Sequence, residues 1–128
     1  MKVLLDTCAF LWLVTDDPKL SPLAKEIFLD SGNELLLSAV TGFEITIKYS
    51  LGKLHLTEPP KEFISNRIKA NDLAELPISV HHTYVLQDLP LHHKDPFDRL
   101  LVAQALANQI PLLSPDEQFS AYDIKRLW

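Results

Sequence analysis

The stretch His92-His93-Lys94-Asp95-Pro96-Phe97-Asp98-Arg99-Leu100-Leu101-Val102-Ala103-Gln104-Ala105-Leu106-Ala107 decides the reading of this chain, because its second half specifies a helix and sets a carboxylate at the rim of that helix's apolar face. Asp95 can serve as N-cap, and Pro96 at the first helical position gives up nothing, since that backbone N–H has no intrahelical acceptor. Asp98 then falls in the first turn, and Leu101, Val102 and Ala105 follow it at helical spacing on the face that should be buried. The helix dipole alone favours an acid there. A second meaning, a pocket for a cation, requires that other carboxylates reach the same place.

Working outward, the same punctuation recurs. Ile110 to Ser114 reads as a short buried strand, Pro115 to Ala121 as a short helix, and Asp123 to Trp128 as an edge strand. Upstream, Ser79 to Leu89 reads as a short helix, Leu73 to Ile78 as a strand, and Lys61 to Ala70 as a helix with Phe63, Ile64 and Ile68 inward. Val40, Phe43, Ile47 and Leu51 trace one face of a helix closed by Gly52, with Glu44 beside that face, and Glu34 to Ser38 is a strand before it. Ser21 caps a helix begun by Pro22 and ended by Gly32-Asn33. Thr7 to Val14 is helical, and Lys2 to Leu5 is an apolar run that suits a central strand. Apolar strands alternating with amphipathic helices imply an α/β fold, a parallel sheet covered on both sides with ligands bound beyond the carboxyl ends of the strands.

With 128 residues, 47% of them hydrophobic, the chain suits a single domain over residues 1–128. No apolar run approaches the roughly 18 residues of a membrane span, and the opening residues are too few for a secretory signal, so a cytoplasmic protein without membrane association is expected. Cys8 is the only cysteine, which excludes an internal disulfide and a cysteine zinc site. A net charge of -5 argues against nucleic-acid binding through a broad basic surface. An enzyme that gathers carboxylates around a metal and acts on nucleic acid remains compatible with it.

Four carboxylates can meet at one sheet edge: Asp6 directly after the first strand, Glu44 in the helix after the second, Asp98 at the start of its helix, and Asp116 just past the fourth strand. Each has an ordinary structural role open to it. Asp6 can cap the following helix, Glu44 can pair on the surface with Lys48 at i+4, and Asp116 can be a first-turn acid in Ser114-Pro115-Asp116-Glu117, which has capping-box spacing. Their coincidence is harder to explain, because clustered carboxylates repel unless a proton or cation neutralises them. Oxygen ligands without cysteine suit Mg²⁺ or Mn²⁺ rather than zinc. His92 and His93 could touch a substrate, but adjacent histidines in a polar loop are ordinarily solvated. His55, His81 and His82 have no ligand spacing.

Four segments then carry a resemblance: Leu4-Leu5-Asp6-Thr7-Cys8-Ala9-Phe10-Leu11-Trp12; Ser38-Ala39-Val40-Thr41-Gly42-Phe43-Glu44-Ile45-Thr46-Ile47-Lys48; Asp95 through Ala105; and Leu112-Leu113-Ser114-Pro115-Asp116-Glu117-Gln118-Phe119-Ser120-Ala121-Tyr122-Asp123-Ile124. In this order they resemble PIN-domain proteins, in particular the VapC-type ribonuclease toxins of bacterial toxin–antitoxin pairs. The resemblance implies a three-layer α/β/α sandwich with a five-stranded parallel sheet and a Mg²⁺- or Mn²⁺-dependent nuclease site. The family's acidic positions match Asp6, Glu44, Asp98 and Asp116. Ser114 stands where the family often has Thr and keeps the hydroxyl, Phe43 stands where close relatives usually have another aromatic, often Trp, and Asp95 is an added carboxylate able to join the site.

The expected activity is single-strand endoribonuclease hydrolysis of RNA phosphodiester bonds, with Asp6, Asp98, Asp116 and Glu44 as metal ligands. Thr7, Ser114 and Asp95 would support them, and Lys48, Lys94 and Arg99 would contact phosphate. A small cognate antitoxin and a homodimer are the partners the family implies, with exposed apolar residues at Leu11-Trp12-Leu13 as a possible patch. The rival without catalysis is an α/β interaction module that binds a basic peptide in an acidic cleft. A haloacid-dehalogenase-like phosphatase is disfavoured, because Asp6 is followed by Thr7-Cys8 and lacks a second aspartate two residues on.

Overall fold

Val3, Leu4 and Leu5 are all buried, as an apolar run with no polar face requires, and Lys2–Leu5 is the central strand β1 of the fold. The computed structural model describes every residue from Met1 to Trp128. In chain order it contains β1, α1 (Thr7–Val14), α2 (Pro22–Leu29), β2 (Glu34–Ser38), α3 (Ala39–Ser50), α4 (Pro60–Ala70), β3 (Ala74–Leu76) and α5 (Val80–Val85). A 3-10 turn (Leu86–Asp88), α6 (Pro96–Asn108), β4 (Leu112–Leu113), a second 3-10 turn (Glu117–Ala121) and β5 (Arg126–Leu127) complete it. The five strands lie in the order β3-β2-β1-β4-β5, and every pair is parallel.

Strand alternation divides the core in two. Val3 and Leu5 of β1, Leu35 and Leu37 of β2 and Leu113 of β4 face one layer, where they pack with Ala9, Phe10 and Leu13 of α1, Ala24 and Ile27 of α2, Ile45 of α3 and Phe63 of α4. Leu4, Leu36 and Leu112 face the other, against Leu101, Val102 and Ala105 of α6. The three residues counted forward from Asp98 are thus among those that α6 buries, with Ala103 and Gln104 beside them. The expected three-layer α/β/α sandwich and five-stranded parallel sheet are present. β1 and β2 keep their expected bounds, whereas β3, β4 and β5 are shorter than the runs that predict them. β4 keeps only two residues of the expected five, and Pro111, which has no N–H to donate, lies just before it.

Two expected faces are placed differently. In α3 the buried residues are Val40, Thr41, Glu44 and Ile45, while Phe43 is 54% and Leu51 63% exposed. The inward stripe is rotated from the apolar one, because Glu44 and Thr41 take the positions facing α1. The Leu11-Trp12-Leu13 patch is not an exposed surface either: Leu13 is buried, and Trp12 is partly buried against the core with its ring 5.9 Å from that of Trp128. Helix α2 also stops at Leu29, with Asp30 as its C-cap, ahead of Gly32-Asn33.

Candidate metal centre

The carboxyl ends of β1 and β4, the start of α6 and the inner face of α3 enclose a cleft of about 370 Å³ lined by Asp6, Glu44, Asp95, Asp98 and Asp116, together with Thr7 and Lys48. The four acids expected to converge therefore do, and the cap Asp95 joins them. A larger groove of about 680 Å³ between α3 and α4 contains a single carboxylate, Glu75, and has no comparable clustering.

Local geometry explains each position. Asp6 leaves β1 in extended conformation and caps α1, its Oδ1 accepting from the Ala9 N–H at 2.6 Å. The Ser114 hydroxyl, at the end of β4, donates to Asp6 Oδ2. The same Oγ accepts from the Asp116 N–H at 3.0 Å, so one buried serine orients two of the acids. Asp116 is itself the cap of the following 3-10 turn, accepting from the Gln118 N–H, and the capping box expected from Ser114 and Glu117 does not form. Glu44 is buried and no surface partner of Lys48: Thr7 Oγ1 donates to its Oε1 at 2.7 Å, and Lys48 Nζ contacts its Oε2 from the cleft rim. Asp95 Oδ1 accepts from the Phe97 and Asp98 N–H groups, which leaves Asp98 free to point into the cleft.

The electrostatics match this crowding. Burial pushes the Asp98 carboxyl up to about 7, and the like charges of Asp95, Glu44, Asp6 and Asp116 push in the same direction. Burial raises Asp6 to about 6, even though the hydrogen bonds from Ser114 and Ala9 oppose it. Lys48 is raised, chiefly by its hydrogen bond to Glu44 and further by Asp95 and Asp98. Burial first, and Asp6 next, push the Cys8 thiol up to about 11, so the one cysteine at the cleft is not a nucleophile.

Two residues depart from their expected roles. Arg99 does not face the cleft with a free guanidinium: its Nη atoms donate to the carbonyls of Pro90 at 3.0 Å and Leu89 at 3.2 Å, with a longer contact to His93 at 3.5 Å. It ties down the loop before α6. His93 is not solvated. It is buried, its ring 5.0 Å from that of Phe119 and parallel to that of Tyr122. Its Nδ1 lies 3.5 Å from Asp98 Oδ2 and its Nε2 3.4 Å from Asp116 Oδ2. His92 is exposed, as expected, and so is Lys94, in the loop leading to Asp95. Nothing local in the sequence distinguishes the two histidines, since His93 is buried by rings from a distant segment.

Whether these residues suit a divalent cation can be judged from the donors themselves. Buried carboxylate oxygens held in fixed orientations by Ser114, Thr7 and backbone N–H groups stand close together, and Asp98 and Asp6 are raised first by burial and further by the neighbouring like charges. A cation would relieve their repulsion, and an oxygen-rich donor set of this kind suits Mg²⁺ or Mn²⁺.

Comparison with known proteins bears on the family and the fold. The family model for the PIN domain matches residues 3–125. The ribonuclease VapC16 of Mycobacterium tuberculosis is 37% identical over 60 residues, which are 47% of this chain and 41% of that relative, so the match spans well under half of its length. Among solved structures, the VapBC2 complex of Rickettsia felis bound to a promoter DNA fragment superposes with a TM-score of 0.74 at 16% identity, covering 99% of this chain and 98% of the other. DNA-bound VapBC of Salmonella typhimurium gives a TM-score of 0.70 at 14% identity, over 99% and 97%. VapBC-1 of nontypeable Haemophilus influenzae gives 0.65 at 18%, again over 99% and 97%. At these identities the structural likeness is one of fold.

Proposed function

The chain belongs to the PIN-domain family, and from that premise we propose that it is a Mg²⁺- or Mn²⁺-dependent endoribonuclease that hydrolyses single-stranded RNA, acting as the toxin of a toxin–antitoxin pair. The observation that carries the reading is the convergence of Asp6, Glu44, Asp98 and Asp116 in one cleft beyond the carboxyl ends of β1 and β4. Asp6, Asp98 and Asp116 would hold the ion, with Glu44 directly or through water. When bound, the ion activates water for in-line attack and offsets the charge that develops on the phosphoryl oxygens.

The remaining work falls to the chain. Ser114 and Thr7 hold Asp6 and Glu44 in fixed rotamers, so that little reorganisation accompanies ligand binding. Lys48 balances Glu44 and presents a half-exposed ammonium at the rim, where it can meet a phosphate of the RNA backbone. Lys94, exposed just before the cap, can meet another. Arg99 acts through the loop that it holds.

The similarity to VapBC complexes supports a small antitoxin as partner, and a homodimer is part of the same proposal. The exposed apolar residues of α3, Phe43, Ile47 and Leu51, supply surface for such contacts better than the Leu11-Trp12-Leu13 segment does. The test is to incubate purified protein with total RNA and transfer RNA, with and without Mn²⁺, and to map the ends. Metal-dependent cuts that vanish in Asp98→Asn are expected, and intact RNA under all conditions would refute the activity.

A further inference from the structure

One buried group beside the cleft is left unexplained by the carboxylates. His93 is 7% exposed, and its backbone N–H donates to the Tyr122 hydroxyl at 2.8 Å, so ring and loop are both held against the segment after β4. The ring is wedged between two acids, Nδ1 near Asp98 and Nε2 near Asp116. Nε2 is fully enclosed and forms no hydrogen bond. A neutral imidazole carries one N–H and one lone pair. If Nδ1 carries the proton, directed at Asp98, the bare Nε2 confronts a carboxylate oxygen at 3.4 Å, lone pair against lone pair. A buried polar atom left in that state is costly and calls for a partner.

A cation supplies one. Donors that share an ion at bond lengths of about 2.0–2.2 Å stand roughly 3–4 Å apart. Nε2 and Asp116 Oδ2 meet that spacing, and the ligand atoms of His93, Asp98 and Asp116 all lie within 4.8 Å of one another. A carboxylate near the other ring nitrogen is the usual device for fixing the tautomer of a metal-bound histidine.

We propose that His93 Nε2 is a nitrogen ligand of the cation gathered by Asp98 and Asp116. The centre is then a mixed nitrogen and oxygen site, which favours Mn²⁺ and other imidazole-binding divalent ions over Mg²⁺. The inference rests on reading the cleft as a metal centre. The competing arrangement is a protonated ring that bridges the two acids, with the ion held by oxygen alone.

Pulsed electron paramagnetic resonance of the full chain loaded with Mn²⁺ separates the two. A directly bound imidazole gives ¹⁴N modulation, which changes to the ¹⁵N pattern when the histidines are ¹⁵N-labelled. His93→Gln should abolish the modulation and His92→Gln should keep it. By titration, His93→Gln should weaken Mn²⁺ binding by about tenfold or more and Mg²⁺ binding by less than about threefold. Mn²⁺ bound to the unmodified protein without nitrogen modulation overturns the assignment and leaves the metal centre standing, and that spectrum decides the matter even if His93→Gln fails to fold. Equal losses of Mn²⁺ and Mg²⁺ affinity in a folded His93→Gln also overturn it. No Mn²⁺ binding at all would overturn the metal centre and the assignment together.

Discussion

Replacing Asp98 by Asn should make the metal-free protein more stable while removing its cleavage activity. The Asp98 carboxyl titrates near 7 in the folded chain, against 3.8 for an unperturbed aspartate, because burial and four neighbouring carboxylates disfavour its charge. A folded-state value above the unfolded one means that ionisation costs stability: the penalty is full above about pH 7, shrinks as pH falls through that value, and is gone below about 4. At 1.36 kcal/mol per unit the gap sets an upper bound of about 4 kcal/mol at pH 8. A quarter of the side chain is open to solvent, which screens part of the penalty. Asn also gives up a first-turn charge worth about 0.3–1 kcal/mol. A net gain of about 1–3 kcal/mol remains, or roughly 3–10 °C in Tm for a domain of this size. Melting curves in EDTA at pH 8 and pH 5 measure it, and the advantage of Asp98→Asn should narrow sharply at pH 5. Saturating Mn²⁺ should reverse the order at pH 8, since an ion at about 1,000 times its Kd adds about 4.1 kcal/mol to the protein that binds it. If Asp98→Asn melts at or below the unsubstituted protein in EDTA at pH 8, the crowding inferred for the cleft is refuted.

Four other substitutions test residues around the cleft and in the core. Ser114→Ala removes the donor to Asp6 and the acceptor for the Asp116 N–H, both in a buried setting, and should cost about 1–3 kcal/mol in chemical denaturation along with most of the cleavage rate. Arg99→Ala should destabilise by about 1–3 kcal/mol through the unbonded loop carbonyls, whereas Lys94→Ala should leave the denaturation midpoint unchanged and weaken RNA binding with a shallower salt dependence. Gln104 is fully buried between the Ser38 hydroxyl and the Pro77 carbonyl, so Gln104→Leu should lose about 1–3 kcal/mol although it adds apolar volume. A midpoint unchanged in Gln104→Leu would show that this contact is not needed.

Punctuation made most of the fold readable from sequence. Asp6, Ser21 and Asp95 cap the helices assigned to them, and Pro22 and Pro96 open theirs. The convergence of Asp6, Asp98 and Asp116 was readable because these acids sit where strands end or helices begin, positions that local signals mark well, whereas Glu44 lies inside α3. Long-range packing was not readable. The apolar stripe Val40-Phe43-Ile47-Leu51 pointed to the wrong face of α3, since the face that the fold buries carries Thr41 and Glu44, polar residues satisfied by Thr7 and Lys48 from outside the stripe. His93 was unreadable for the same reason: Phe119 and Tyr122, which enclose it, belong to a segment that reaches it only through the insertion of β4 beside β1. Arg99 looked like a phosphate ligand because a sequence shows a cation and not the carbonyls around it.

The two hydroxyl contacts that orient the acids close loops of very different length. Thr7 meets Glu44 across 37 residues, and Ser114 meets Asp6 across 108. Loop closure grows with the logarithm of length, so the second contact carries about 1 kcal/mol more entropic cost than the first. The β1–β2 half of the sheet, with Asp6 and Glu44, therefore closes the shorter loop, and Asp98 and Asp116 reach the same place only through α6 and the entry of β4 beside β1. A chain that pairs only β1 with β2 would hold two of the four carboxylates, so the complete cluster requires the long-range β1–β4 pairing as well.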